Sequence, residues 1–140
     1  MKDLYHNIEA VSLLDPIAVS TTQTITDIDL ADFNSCVILI ACGLDASMSA
    51  SHKIVFVLYD SDDGITYAVV ETADMIDLTV TSGIVLSIDN VNTEDNTLSK
   101  LGYVGGKRYL QLIGTVTGTT DPPIFIGLIK GHGLDVPAIS

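Results

Sequence analysis

Lys53-Ile-Val-Phe-Val-Leu-Tyr-Asp-Ser-Asp-Asp-Gly-Ile-Thr-Tyr-Ala-Val-Val70 is the stretch on which the fold turns. Its first half, Lys53 to Tyr59, is an unbroken run of β-branched, aromatic and aliphatic residues, the pattern of a strand buried on both faces. Thr66 to Val70 is a second, shorter run of the same kind. The segment between them is rich in turn formers. Asp and Ser side chains cap turn amides, and Gly64 supplies the positive φ that a returning strand requires. The stretch therefore predicts a β-hairpin, with Asp62, Asp63 and Gly64 at its turn. A calcium site is the other reading: Asp60, Asp62 and Glu71 have the spacing of positions one, three and twelve of a helix-loop-helix calcium loop. That loop needs Gly at position six, where Ile65 stands, and helices where this chain has strand-like runs.

Outward from the hairpin the same pattern recurs. Thr21 to Leu30 alternates, Val37 to Cys42 is continuously apolar, and Leu78 to Thr81 and Ile84 to Ile88 flank a Ser82-Gly83 turn. Arg108 to Val116 and Ile124 to Lys130 close the chain across a loop whose Pro122 and Pro123 interrupt regular structure. About eight short strands with Gly, Asp, Asn and Ser at their joints argue for an all-β fold, an antiparallel β-sandwich or jelly-roll-like barrel. Glu71 to Asp77 carries a trace of helical periodicity. Residues 1–18 differ: Leu4, Ile8 and Val11 have helical spacing and Pro16 ends it, so a short helix and an extended arm are both open. The expected organisation is an N-terminal arm or short helix over 1–18 and one β-sandwich domain over 19–140.

Composition supports one domain. The chain has 140 residues, is 47% hydrophobic and lacks Trp, its apolar content being mostly aliphatic. Eighteen acids against six Lys and Arg give a net charge of −12. Such a chain is repelled by phosphate backbones and anionic lipid, so nucleic acid and membrane are not expected partners. The best uncharged apolar stretch, Phe33 to Leu44, is about a dozen residues where a membrane helix needs roughly 20. The acidic N-terminus does not match a secretory signal, so synthesis in the cytoplasm is expected. Cys36 and Cys42 fall on one face of a strand about 20 Å apart, too far to bridge.

Catalytic motifs are missing. There is no Gly-x-Ser-x-Gly elbow, no phosphate loop and no cysteine pair at zinc spacing. His6, His52 and His132 lack metal-like spacing, and no cofactor is expected. A binding or assembly role is expected, not an enzyme. One further stretch is informative: Gly102-Tyr-Val-Gly-Gly-Lys-Arg-Tyr-Leu-Gln-Leu112. Gly105 and Gly106 predict a tight turn, with Lys107 and Arg108 on its shoulder as the one adjacent basic pair and a candidate contact for an acidic partner.

Three blocks in order resemble a family of small virion proteins of tailed bacteriophages and prophages. They are Met1-Lys-Asp-Leu-Tyr-His-Asn-Ile8, Leu58-Tyr-Asp-Ser-Asp-Asp-Gly-Ile-Thr-Tyr67, and Gly102-Tyr-Val-Gly-Gly-Lys-Arg-Tyr-Leu110 with Gly131-His132. The resemblance implies a head decoration (cement) protein on the capsid surface, made in the host cytoplasm, with the major capsid protein as partner. It also implies self-association, a trimer by analogy with proteins that sit on threefold junctions. The expected contact residues are Leu4, Tyr5, Ile8, Lys107 and Arg108, at one end of the sandwich. A head-tail adaptor or tail subunit would share the fold. A carbohydrate-binding jelly-roll module is the alternative from another class, with Tyr59, Tyr67 or Tyr103 stacking on sugar rings.

Overall fold

The computed structural model describes residues 3–89 and 97–133. Among these residues nine strands form two antiparallel sheets. In chain order they are β1 (Ile8–Ala18), β2 (Gln23–Asp29), β3 (Phe33–Cys42), β4 (Lys53–Ser61), β5 (Ala68–Val69), β6 (Ile84–Ile88), β7 (Thr97–Tyr103), β8 (Tyr109–Thr117) and β9 (Pro123–Gly133). Sheet one has the order β1-β9-β3-β7. Sheet two has the order β2-β8-β4, and β5 and β6 share the free edge of β4. The pairing is nested: β1 with β9, β2 with β8, β3 with β7, and β4 with β5 and β6. The chain is thus one long hairpin, rolled so that successive pairs fall alternately in the two sheets. With β5 and β6 filling one strand's place, this is the jelly-roll arrangement.

Alternation places the core. In β4, Ile54, Phe56 and Leu58 are buried while Val55, Val57 and Tyr59 are only partly covered. In β3, Cys36, Ile38, Ile40 and Cys42 are buried on one face. Leu110, Leu112, Ile124, Ile126 and Leu128 complete the interior from β8 and β9. Both cysteines are buried on the same face, and burial pushes the Cys36 thiol up to about 12. Phe56, the bulkiest side chain of sheet two's interior, fits because Gly114 lies opposite; a Cβ there would come within 2.7 Å of the ring.

Where strands break alternation, bulges restore it. Ile25 and Ile28 are three apart and would face opposite sides of a regular strand. A register shift between them, with Asp27 at φ 57°, turns Ile28 into the core and packs Ile25 against it. In β1, shifts between Ser12 and Leu14 and between Leu14 and Ile17 let Leu13 and Leu14 both pack on the core.

The N-terminal region departs from the expected arm or short helix. Only Tyr5–Asn7 is helical, as a single 3-10 turn, and Ile8–Ala18 is the edge strand of sheet one, paired along β9 from Gly131 to Pro123. Pro16 is tolerated because an edge strand leaves one row of amides without partners. Glu71 to Asp77 contains one 3-10 turn, Thr72–Asp74. Leu78 to Thr81 is not a strand, although Ser82 and Gly83 do form a tight turn at φ 53° and 76°.

Candidate functional site

The rolled hairpin brings distant segments to one end of the sandwich. Ile8 lies opposite Gly131, Cys36 opposite Tyr103, and Tyr109 opposite both Asp29 and Ser61. The connections 30–32, 62–67 and 104–108 therefore gather there, with the N-terminal turn and the end of β9. The described residues of all three blocks that carried the resemblance reach this end.

The two turns are built from their own side chains. Ser61 Oγ accepts the amides of Asp63 (3.2 Å) and Gly64 (3.0 Å) and donates to Asp63 Oδ1 at 2.8 Å. Asp63 Oδ1 also accepts the amides of Thr66 and Ile65, both at 2.8 Å. These donors hold the Asp63 carboxyl down at about 2. Gly64, at φ 72°, lies against the Tyr109 ring. In the other turn Gly106 is at φ 77°, and Gly105 has no room for a Cβ, which would fall 2.6 Å from Tyr103 Oη.

Tyr103 links the turns and the sheets. Its ring is 1% exposed, and its hydroxyl donates to Asp60 Oδ2 at 2.8 Å, joining β7 of sheet one to β4 of sheet two. The same oxygen accepts the Lys107 amide at 3.2 Å. Burial raises the Asp60 carboxyl above its usual range, against the pull of the Tyr103 hydrogen bond. The Tyr103 phenol is raised by burial and then by its bond to Asp60.

The expected contact cations are engaged within the chain. Lys107 Nζ pairs with Asp62. Arg108 grips Asp29 through Nε and Nη2, both at 3.0 Å, and lies over the Tyr109 ring at 4.9 Å. That hydrogen bond lowers the Asp29 carboxyl. Lys130 pairs with Glu9 at 3.0 Å and covers Phe33, and His6 meets Asp3. These four ion pairs all fall at this end.

Leu4 and Tyr5 stand out from the same end, 67% and 78% exposed. Beside them a cleft of about 750 Å³ is lined by Leu4, Ile8, Val37 and Ile129, with Asp3, Asn7, Ser35 and His132 at its polar margin. Ser35 Oγ and His132 Nδ1 are 2.6 Å apart. Among the described residues no carboxylate orients that imidazole as the third member of a serine-nucleophile triad would.

The structure separates the calcium candidates. Asp60 faces the interior toward Tyr103, Asp62 faces solvent with Lys107, and Glu71 caps the turn at Thr72–Asp74. Among the described residues no group of three His, Cys, Asp or Glu is placed to hold a metal ion. Of the tyrosines considered for sugar stacking, Tyr103 offers no exposed ring face, and Tyr59 and Tyr67 are half-buried. Sequence reasoning missed the Tyr103–Asp60 pair and the partners of the two cations. Nothing local signals a contact across 43 positions. No protein-family model matches the chain, and no curated protein matches it.

Proposed function

We propose that this protein is a structural component of a tailed-phage virion, a decoration protein that binds the major capsid protein and stabilises the shell without catalysing a reaction. One observation carries the reading: three sequence blocks scattered over nearly the whole chain converge on one end of the sandwich. Jelly rolls serve viral coats and lectins alike, so the fold by itself does not choose. What favours assembly is the character of that end. Two exposed apolar side chains, Leu4 and Tyr5, flank an apolar cleft on a rigid, internally bonded platform. Anchors of that kind supply most of the energy of a protein interface. Lys107 and Arg108, already paired with Asp62 and Asp29, steer and orient more than they bind, since exposed pairs are worth ~1 kcal/mol or less. The net charge of −12 opposes unspecific association of free copies.

The test is co-sedimentation of the purified protein with empty shells of the phage that encodes it, with copy number from quantitative mass spectrometry. Saturable binding on the order of hundreds of copies per shell, with a raised shell melting temperature, is expected. Replacing both anchors (Leu4→Asp with Tyr5→Ala) weakens that binding while leaving the fold intact, because neither side chain belongs to the core. About a dozen copies would point to a neck or tail subunit instead. No binding would overturn the capsid reading.

A further inference from the structure

Among the described residues, the outer face of sheet one is an apolar surface running between Ile76, which rests against Gly102 at the β7 margin, and the cleft that Val37 and Ile129 line beside the N-terminal turn. Because Cys36, Ile38, Ile40 and Cys42 point inward, Val37 and Leu39 point out. Ile129 lies beside Val37, and Leu98, 67% exposed, lies beside Ala41 at the β7 margin. Phe125 is opposite Ala41 on β9 and lays its ring over Gly127, where a Cβ would come within 3.0 Å of it. In a chain of net charge −12, none of the described residues named on this face is an acid.

Charge at its two margins is complementary. The register lays Ser12, Gly127, Leu39 and Lys100 in one row across all four strands. At the β7 end of the row Lys100 is exposed and has no ion-pair partner among the described residues. At the β1 end Ser12 Oγ donates to Asp15 Oδ1 at 2.7 Å, so a carboxylate sits there. Rotation by 180° about an axis parallel to the strands lays the row on itself reversed. Lys100 of each copy then meets the Ser12–Asp15 corner of the other, and Leu39 meets the Gly127 and Phe125 surface.

We propose that this face is an isologous interface, on which a second copy of the chain packs sheet to sheet in a two-fold dimer. A face with opposite charges at opposite margins is complementary to itself, which is the condition for a closed two-fold contact. The trimer expected by analogy would instead need two different patches. The size is sufficient. Four strands about 4.8 Å apart and roughly 20 Å long make about 400 Å² of face, and side chains standing above the plane bring two copies to about 1,000 Å². Aligned packing about 10 Å apart is how two such sheets meet. Pairing of this kind needs no shell, so its failure would leave the shell-binding reading standing.

Sedimentation velocity of the free protein over a concentration series tests it. Wild type is expected at twice 14.8 kDa in the tens of micromolar. Leu39→Asp places a carboxylate at the centre of the face and is expected to give a monomer with an unchanged circular-dichroism spectrum. Lys100→Glu weakens the dimer roughly tenfold or more, since symmetry repeats the lost pair, and Asp15→Lys does the same. Combining the two reversals restores wild-type association within a few-fold. A 14.8 kDa monomer at 100 µM, a trimer, or a dimer indifferent to both Leu39→Asp and the charge reversals would overturn the proposal.

Discussion

Replacing Tyr103 by Phe removes one oxygen from the interior, and its cost follows from the geometry. The ring and its packing stay, so the apolar contribution is unchanged. What is lost is the donor 2.8 Å from Asp60 Oδ2 and the acceptor 3.2 Å from the Lys107 amide. Asp60 is only 8% exposed, so water replaces the donor poorly. A hydrogen bond to a charged group contributes about 1.5–3 kcal/mol, and orphaning the Lys107 amide adds a few tenths more. The expected destabilisation at pH 7.5 is therefore about 2–3 kcal/mol, a fall in melting temperature of about 6–15 °C. Both sheets share this bond, so the loss appears as global unfolding and not as fraying of one turn.

The pH dependence gives a second, independent sign. Burial holds the Asp60 carboxyl above 3.8, and the Tyr103 hydroxyl pulls it down. Without the hydroxyl the carboxyl rises further, so the variant protonates first as pH falls. The neutral acid has less need of the donor, and the difference between the proteins shrinks as pH falls through the variant's Asp60 pKa toward that of wild type. Urea unfolding of both proteins at pH 7.5 and 4.5 measures it, with Asp60→Asn closing a double-mutant cycle. A cost below about 0.5 kcal/mol at pH 7.5, or one that grows on acidification, would refute the assignment of Tyr103 and Asp60 as a coupled inter-sheet pair.

Three other outcomes are expected. Gly105→Ala drives a methyl to within 2.6 Å of Tyr103 Oη and 2.8 Å of Asp74 Oδ1, and should cost about 1–3 kcal/mol in urea unfolding. Asp63, depressed from 3.8 to about 2, adds stability that is complete above about pH 4 and lost as pH falls toward 2; Asp63→Asn should flatten that part of the acid-unfolding profile. Cys36 and Cys42, buried and in the case of Cys36 raised to about 12, should resist a thiol-specific reagent at pH 8 in the folded protein and both react once it is unfolded.

The strands that were legible are those whose alternation is uninterrupted. β4 and β8 expose every second residue regularly, and their apolar runs stand out in the sequence. β1 was hidden because its two register shifts destroy a period of two, leaving Leu4, Ile8 and Val11 to imitate a helix. β7 was hidden by its own pattern: as an edge strand it turns Leu98 outward and places Ser99 on the inner side, the reverse of what hydropathy suggests. The turns at 62–64 and 105–106 were readable because Asp, Ser and Gly act locally there. The Tyr103–Asp60 bond and the Arg108–Asp29 grip were not, because they exist only once the hairpin is rolled.

That rolling also explains how so acidic a chain can present surfaces fit for docking. Nested pairing sends every connection to one end or the other, and most acids lie on the connections, where turns need their carboxylates. The two ends then differ in how those acids are satisfied. At the far end Asp45 is held by Thr120, Ser47 and the Asp121 amide, neutral donors that outweigh its burial and lower its carboxyl while leaving its charge uncompensated. At the near end Asp63 is held likewise by Ser61 and two turn amides, but Asp3, Glu9, Asp29 and Asp62 each face a cation or an imidazole. A partner approaching the near end meets paired charges around Leu4, Tyr5 and the cleft, and a second copy approaching sheet one meets no acid until its margin. Repulsion between copies is therefore weakest where cations answer the acids and over the apolar strip of sheet one, so net charge works as a selector of contacts as well as a guard against aggregation.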